Sequence, residues 1–223
     1  MFTGMDFWRQ SGIVNQDDLN MYPYTLIGAG GIGSPTALML TKLGVAELKV
    51  YDFDTVEAHN LPNQLYRFRD VGRLKVEALR EILRDFSGTD ITAMPTKFPL
   101  PSRPSGIVIS ALDSMEARSE VWYQAIKGNM DVPWYIDARM GATKGRFLIV
   151  NPSDPRDIAI YEASLYTDEE AEEEPCSARA TAYNGFFIGS RLAFAVKELA
   201  TGEETRTEIH FDLIGNTIVT ATR

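Results

Sequence analysis

The chain has 223 residues, a formal net charge of −9, 44% hydrophobic residues and 24% charged residues, as expected for a soluble globular protein. No apolar run reaches the ~20 residues of an ordinary membrane span, and no secretory signal is visible at the N-terminus. The acidic balance argues against a long nucleic acid as partner. A single cysteine, Cys176, excludes an intrachain disulfide and a four-cysteine zinc site. We therefore expect no zinc and a cytoplasmic location.

Strand and helix patterns alternate through the first part of the chain. Apolar segments predict strands at residues 24–28, 47–52, 90–94, 106–112 and 132–137. Helical spacing of apolar residues predicts helices at residues 32–43, 71–86 and 115–127. This alternation indicates an α/β fold, with a Rossmann-like, doubly wound and mostly parallel sheet over residues 24–138.

The pattern changes after residue 138. Short strands are predicted at residues 146–150 and 158–161, and a mostly apolar helix at residues 181–199. A terminal hairpin is predicted from strands at residues 208–213 and 217–220. The acidic run at residues 167–175 is either a solvated loop, which we favour, or a docking site for a basic partner. We expect one domain, with an N-terminal arm at residues 1–23 and C-terminal antiparallel strands within residues 139–223.

A glycine-rich turn, residues 28–33, joins the first predicted strand to the first long helix. Gly28 permits a tight turn, Gly30 allows the backbone to approach a phosphate, and Gly33 lets the helix pack on the strand. The helix N-terminus offers N–H donors to an anion. The position of the motif between a strand and a helix therefore predicts a nucleotide-binding loop, with Gly28, Gly30, Gly31 and Gly33 as its glycines.

An acidic residue follows at the end of the second predicted strand. Asp52 lies 19 residues beyond Gly33, where a carboxylate accepts hydrogen bonds from ribose hydroxyls. The glycine turn and Asp52 alone fit a nicotinamide-dependent oxidoreductase as well as an ATP-binding enzyme.

Three further motifs separate these alternatives. They are DFDTVEAHNLPNQ at residues 52–64, DVGRLKVEA at residues 70–78 and SALDSMEAR at residues 110–118. In order and spacing they resemble the ThiF/MoeB/HesA adenylyltransferases, the family that also contains the ubiquitin-activating enzymes. The resemblance covers residues 24–138. It implies an enzyme that uses ATP to adenylate the C-terminal carboxylate of a ubiquitin-like or sulfur-carrier protein. A nicotinamide-dependent enzyme gives no role to Asn60, Gln64 or Lys75.

Adenylation joins a carboxylate to the α-phosphate of ATP and expels pyrophosphate. The carboxylate is already ionised near neutral pH, so catalysis depends on positioning and on neutralising phosphate charge rather than on a general base. Within the motifs, Lys75 can place an ammonium on the phosphates, Asn60 can donate its amide, and Gln64 can order the same loop. Asp113 is the expected Mg²⁺ ligand, with a role as helix N-cap as the alternative or in addition. Asp54 is expected to be structural.

The N-terminal arm carries a weaker match, Trp8, Arg9 and Gln10. The family resemblance implies that Arg9 reaches the ATP of a neighbouring subunit, which makes the protein a homodimer. The alternative is a surface arginine on a loose terminal segment.

Two positions depart from the family pattern or leave it open. Asn63 stands where the family usually has an arginine that contacts the terminal phosphates, and the candidates to replace its charge are Arg67, Arg69 and Arg73. Cys176 precedes the last long helix, as the reactive cysteine does in some relatives. It is either a nucleophile that takes the activated carbonyl as a thioester or acyl disulfide, or a buried filler residue.

Three other functions stay open. The first is adenylation of a small-molecule, peptide or tRNA-linked carboxylate, and the second is a nucleotide-binding relative that has lost catalysis, which Asn63 favours. The third and least favoured is a nicotinamide-dependent oxidoreductase.

Overall fold

The structure of the protein is a computed structural model that describes residues 4–98, 103–166, 180–203 and 207–221. A short 3-10 helix at Trp8–Gln10 precedes the main elements. In chain order these are α1 (Gln16–Leu19), β1 (Tyr24–Ile27), α2 (Gly33–Leu43), β2 (Leu48–Tyr51), α3 (Lys75–Ser87), β3 (Thr92–Met94), β4 (Ile107–Ser110), α4 (Met115–Val121, continued by a π-helical turn at Trp122–Ile126), β5 (Trp134–Met140), β6 (Lys144–Val150), α5 (Pro155–Ala163), α6 (Ala182–Ala200), β7 (Glu208–Asp212) and β8 (Thr217–Ala221).

One sheet of eight strands organises the molecule, in the order β3-β2-β1-β4-β5-β6-β7-β8. The first five strands are parallel, and β6, β7 and β8 continue the sheet antiparallel. The predicted fold class is therefore confirmed. Because the parallel strands share one direction, the residues that follow β1, β2 and β4 meet at the same edge of the sheet, where ligands bind in such folds.

Helices cover both faces of the sheet. On one face α2, α3 and α6 pack against residues such as Leu26, Ile109 and Phe147. On the other face Trp122 from the end of α4 and Tyr161 from α5 are fully buried against the sheet, with ring centroids 4.4 Å apart. The fully buried aromatic pair fixes where α4 and α5 lie on the second face.

Two predicted elements were wrong in type or extent. Residues 158–161, predicted as a strand, belong to helix α5, because Pro155 occupies its first turn and the Asp154 side chain accepts a hydrogen bond from the backbone of Arg156 at 2.8 Å. Residues 71–74, predicted as the start of a helix, instead run extended beside residues 54–56. Gly72 has φ +87, and Leu74 pairs with Thr55 as an isolated bridge. Helix α3 therefore begins only at Lys75.

The C-terminal part contains the predicted helix and hairpin. Helix α6 has 19 residues, and β7 and β8 pair antiparallel around a turn in which Asn216 has φ +47. No helix in the described part of the chain combines the length and apolar character needed to cross a bilayer. The acidic run at residues 167–175 and Cys176 lie outside the described residues.

Candidate functional site

The glycine-rich turn forms a tight loop between β1 and α2. Gly28 has φ +94, and a Cβ added there would lie 2.6 Å from the carbonyl oxygen of Ala111. A Cβ on Gly33 would lie 1.9 Å from the carbonyl oxygen of Gly28. A Cβ on Gly30, by contrast, would meet nothing closer than Gln64 Nε2 at 3.9 Å. Position 28 therefore requires glycine because of its positive φ and close packing, and position 33 requires it because of close packing. Gly30 lies on the open side of the loop.

Asp52 follows β2 and binds the glycine loop directly. Its Oδ2 accepts a hydrogen bond from the backbone N–H of Ala29 at 2.7 Å, and its Oδ1 accepts one from Asp54 at 2.8 Å. Burial raises the pKa of the Asp52 carboxyl, while the nearby charge of Lys75 and these two N–H donors oppose the increase. Asp52 thus holds the loop in shape and keeps further lone pairs on its oxygens for other donors.

Lys75 reaches the same place because residues 72–74 return beside residues 55–56, after an excursion that contains two short 3-10 helices. Its backbone N–H donates to the carbonyl oxygen of Asp54 at 2.9 Å, and its Nζ lies 2.8 Å from Asp54 Oδ2. The Lys75 side chain is only 9% exposed, against 50% for Asp54. The ammonium is therefore held near Asp52 by an acidic residue, Asp54.

Asn60 and Gln64 lie on the segment that faces the glycine loop. Asn60 is buried, and its Oδ1 accepts a hydrogen bond from the backbone of Glu57 at 2.8 Å. None of the hydrogen bonds seen within the described ranges uses Asn60 Nδ2. The hydrogen bond accepted by Oδ1 fixes the orientation of the amide and leaves Nδ2 available to donate. Gln64 is linked to the carbonyl of Asn60 by its backbone at 2.9 Å. Its buried Oε1 has no hydrogen-bond partner in the described part of the chain, which marks it as a group able to bind a donor.

Asp113 lies in the turn between β4 and α4. Ala111, two residues earlier, contacts both Gly28 and Gly33, so this turn borders the glycine loop. The N-cap of α4 is Ser114, whose Oγ accepts from the backbone of Ala117 at 3.2 Å, and the alternative role of Asp113 as N-cap is therefore wrong. The Asp113 side chain is exposed.

The carboxylate of Asp113 fits magnesium better than a transition metal. Within the described residues there is no group of three or more His, Cys, Asp or Glu side chains that could hold a metal by themselves. Mg²⁺ commonly takes one or two protein carboxylates and completes its shell with substrate phosphates and water. A single exposed carboxylate beside a phosphate loop matches that donor set.

A buried ion pair supports the turn that carries Asp113. Arg118 of α4 pairs with Asp137 in the middle of β5 and also donates to the carbonyl oxygen of Leu112. The side chains of Arg118 and Asp137 are 5% and 0% exposed. Arg139 contacts the second carboxylate oxygen of Asp137 at 2.9 Å. The sequence motif contained Arg118, but nothing in it indicated that Asp137 and Arg139 would complete the pair from the next strand.

Tyr66 is a third residue near the loop that no sequence motif indicated. Its hydroxyl donates to the carbonyl oxygen of Ala29 at 2.6 Å and is buried beneath the loop. Burial, followed by the charge of Asp52, holds the pKa of Tyr66 well above its ordinary value, so the hydroxyl stays protonated as a donor. No periodicity or motif singles out a tyrosine at this position.

The three arginines proposed to replace the missing family arginine are engaged elsewhere. Arg67 binds Asp70, Glu81 and Asp85, while Arg69 and Arg73 each contact Glu81. These contacts pair the guanidinium groups with carboxylates of helix α3 and of Asp70. The Asn63 Oδ1 is buried and has no hydrogen-bond partner among the residues described.

Arg9 lies away from the glycine loop of its own chain. The neighbouring Gln10 donates its Nε2 to the carbonyl of Leu43, at the C-terminal end of α2, at 2.8 Å. The glycine loop is at the opposite end of this 11-residue helix, a separation of about 16 Å at the usual helical rise. Arg9 is exposed.

The fold and the site together define a class of protein. A parallel sheet whose first strand–helix turn is a glycine loop, with Asp52 just after the second strand, has the Rossmann-like architecture. Residues 4–220 match the ThiF family, and the chain belongs to that family.

Two curated relatives illustrate the similarity in sequence. The chain is 44% identical over 79 residues to "Adenylyltransferase and sulfurtransferase uba4" of Emericella nidulans, covering 35% of this chain and 16% of that protein. It is 29% identical over 136 residues to "Ubiquitin-like modifier-activating enzyme 5" of Arabidopsis thaliana, covering 51% of this chain and 32% of that protein. The chain thus spans a third or less of the length of these two relatives.

Solved structures show the same fold. A crystal structure of selenomethionine PaaA matches with a TM-score of 0.73 at 17% identity, covering 93% of this chain and 65% of that one. A crystal structure of Escherichia coli MccB with ATP matches with a TM-score of 0.69 at 17% identity, with the same coverage of 93% and 65%. At this identity the likeness extends to the fold alone.

Proposed function

We propose that this chain is an ATP-dependent adenylyltransferase that converts the C-terminal carboxylate of a ubiquitin-like or sulfur-carrier protein into an acyl-adenylate. The observation that carries the proposal is the meeting of the glycine loop, Lys75 and the turn of Asp113 at one edge of the sheet. Membership of the ThiF family supports the chemistry, and the names of the relatives support the class of partner.

In the proposed reaction a carboxylate oxygen of the carrier attacks the α-phosphorus of ATP. The bond from that phosphorus to the oxygen bridging the β-phosphate breaks, and pyrophosphate leaves with the electron pair. Lys75 and Asn60 Nδ2 bind the phosphates, and the N–H groups at the start of α2 face the same anion. Asp52 binds the ribose. Asp113 would hold Mg²⁺, which supplies further neutralisation of phosphate charge when bound.

The proposed enzyme is a homodimer in which Arg9 acts on the nucleotide of the partner subunit. The position of Gln10 at the far end of α2 supports this arrangement, since Arg9 starts on the side of its own subunit away from the glycine loop. Exposed apolar residues on the same arm, Trp8 at 77% and Ile13 at 69%, support a contact surface there.

The C-terminal part, residues 139–223, is proposed to dock the carrier within the single domain. The β6, β7 and β8 strands extend the sheet beyond the nucleotide site and end in an edge strand. We propose that Cys176 then attacks the acyl carbonyl with its thiolate, so that the bond to AMP breaks and a thioester forms.

A second candidate is a nucleotide-binding relative with weakened catalysis. The observation that favours it is the uncharged Asn63 combined with the engagement of Arg67, Arg69 and Arg73 by carboxylates. Such a protein binds ATP without supporting its cleavage to pyrophosphate.

The test is ATP–pyrophosphate exchange with magnesium, in the presence of candidate carrier proteins with a free C-terminal carboxylate. The matched control is the same carrier carrying a C-terminal amide, which keeps the docking surface and removes the nucleophile. Exchange that requires the free carboxylate supports the adenylyltransferase. ATP binding without exchange for any carrier supports the second candidate, and absence of ATP binding contradicts both.

A further inference from the structure

Helix α6 packs on the glycine loop at van der Waals contact through a glycine of its own. A Cβ added to Gly185 would lie 2.2 Å from the carbonyl oxygen of Gly31 and 3.2 Å from its carbonyl carbon. Gly31 in turn faces the Cε of Met140, the last residue of β5. The first turn of α6 and the end of β5 therefore pack directly against the glycine loop. Both contacts come from residues of the C-terminal part of the chain, Gly185 and Met140.

The residue before Gly185 links this wall to the strands beyond. Asn184 is fully buried, and its Nδ2 donates to the carbonyl oxygens of Gly141 at 2.8 Å, Ala142 at 3.3 Å and Lys144 at 3.4 Å. The first two carbonyls belong to the turn between β5 and β6, and the third belongs to the first residue of β6. The Asn184 side chain thus connects the turn to the start of α6 by hydrogen bonds.

The same turn touches the terminal hairpin. The backbone N–H of Leu213, just after β7, donates to the carbonyl oxygen of Thr143 at 2.9 Å. A continuous path of contacts therefore runs from the β7–β8 hairpin through the β5–β6 turn and Asn184 to Gly185 and the glycine loop. Only backbone groups, one buried amide and one glycine contact make up this path.

Stability alone does not account for Asn184. Its Oδ1 is buried and has no hydrogen-bond partner in the described part of the chain. Burying an amide oxygen without a partner is unfavourable, so an asparagine here stabilises the turn at a cost that an apolar side chain would avoid. Buried polar groups of this kind are retained where they define a specific geometry.

We propose that Asn184 and Gly185 are positioning residues that set the glycine loop from the C-terminal strands, so that a partner bound at those strands and a nucleotide bound at the loop influence each other. The contacts described above support the link between the two parts of the chain. Its effect on the affinity for ATP rests on the proposed function. By linkage, the two ligands must change each other's affinity by the same factor.

The first test requires no ligand and measures amide hydrogen exchange in the free protein. The variant is Asn184→Ala, and the matched control is Asn129→Ala, since Asn129 is also buried and donates its Nδ2 to two backbone carbonyls, but at the opposite edge of the sheet. Loss of the link should speed exchange at Ala29 and Ser34 of the loop by about tenfold, while the control leaves these amides unchanged. Equal rates at the loop in both variants would overturn the proposal.

The second test substitutes the contact itself. Gly185→Ala is compared with Gly12→Ala, where an added Cβ meets nothing within 4 Å. Gly185→Ala is expected to speed exchange at the same loop amides and to raise the Kd for ATP by about tenfold or more in the folded protein, because Gly31 must move. A lowered melting temperature with wild-type loop exchange and wild-type Kd would reduce Gly185 to a packing role. If Gly185→Ala does not fold, Asn184→Ala decides the question.

These outcomes are separable from those of the proposed function. If wild-type protein binds no ATP, the adenylyltransferase fails, while loop exchange in Asn184→Ala still tests the link. If wild type supports exchange of ATP with pyrophosphate but Asn184→Ala keeps the wild-type KM for ATP and wild-type loop exchange, the adenylyltransferase stands and the link is rejected.

Discussion

Lys75 and Asp54 form an ion pair at the start of helix α3, with Nζ 2.8 Å from Oδ2. The two residues are joined twice, because the Lys75 backbone N–H also donates to the Asp54 carbonyl oxygen at 2.9 Å. A lysine held in this way has its ammonium oriented before a nucleotide arrives. The conformational entropy of this long side chain is therefore lost when the protein folds and not when the nucleotide binds.

Replacement of this lysine should remove exchange activity while leaving the fold intact. Lys75→Ala deletes a cation that neutralises phosphate charge in the transition state, so kcat/KM for ATP–pyrophosphate exchange should fall by about 100-fold or more. The control is Lys127→Ala. Lys127 follows the last turn of α4, at the opposite edge of the sheet, and is paired with Glu162. Equal losses in both variants would mean that Lys75 is not part of the site.

The position of the missing arginine offers a gain of function. Asn63→Arg should place a guanidinium beside the phosphates, a role for which Arg67, Arg69 and Arg73 are already paired with carboxylates. A charge-assisted contact of this kind should lower the KM for ATP by about tenfold. Asn63→Met, which adds length without charge, serves as the control. An unchanged KM in Asn63→Arg would show that another group already fills this role.

The magnesium ligand is tested by metal dependence rather than by activity alone. Asp113→Asn should raise the magnesium concentration needed for half-maximal exchange by about tenfold, because one ligating carboxylate is replaced by a neutral amide. Asp131→Asn is the matched control, since Asp131 is an exposed aspartate in the loop at the opposite edge of the sheet. A magnesium profile that is the same in both variants would exclude Asp113 as the ligand.

Much of the fold followed from local pattern. Strands β1, β2 and β4 are short apolar runs between glycines and turn residues, and their parallel arrangement follows from the helices between them. Residues 158–161 were predicted wrongly because a run of four mostly apolar residues fits a strand as well as a helix. The four residues are Ile158, Ala159, Ile160 and Tyr161. The decisive signals were the preceding Asp154 and Pro155, which cap and start α5.

The site was predictable only where a motif carried it. The motifs predict the glycines, Asp52 and Lys75 as one site because their chemistry repeats at known spacing, and the structure brings these residues close together. Tyr66 and the pairing of Arg118 with Asp137 depend on contacts between distant segments, which no local pattern reports. The spacing of Gly185 and Gly189 by one helical turn was the available sign that α6 approaches another backbone closely.

Acid stability should depend on the buried carboxylate of Asp70. Burial by itself would raise its pKa, but hydrogen bonds and charges from Arg67 and Arg73 hold it below the ordinary value of 3.8. A carboxyl with a lowered folded-state pKa stabilises the protein above its unfolded-state pKa, and this stability is lost as the pH falls from about 5 through and below that value.

Asp70→Asn should therefore reduce the dependence of the unfolding free energy on pH across this acidic range. It should also lower that free energy by about 3 kcal/mol at pH 7, because Arg67 loses a buried partner. Denaturant unfolding at a series of pH values measures both effects. A pH profile parallel to that of wild type would contradict the role of Asp70; Asp52, whose pKa is raised, acts in the opposite direction in both proteins.

The dimer and the role of Arg9 are tested by mixing inactive subunits. Arg9→Ala and Lys75→Ala should each be inactive alone. After unfolding and refolding together in equal amounts, they should regain about a quarter of wild-type exchange, because half of the dimers are mixed and each has one complete site. No recovery, with mixed dimers present by mass spectrometry, would place Arg9 in its own subunit's site, and an active Arg9→Ala would place it outside any site.

In the proposed reaction the carrier carboxylate attacks the α-phosphate of ATP. To test this step, both oxygens of that carboxylate are labelled with ¹⁸O, and the activated carrier is trapped with hydroxylamine, which attacks the carbonyl and releases AMP. Attack at the α-phosphate predicts AMP containing one ¹⁸O atom, together with pyrophosphate. Label in inorganic phosphate with release of ADP, or unlabelled AMP, would contradict it.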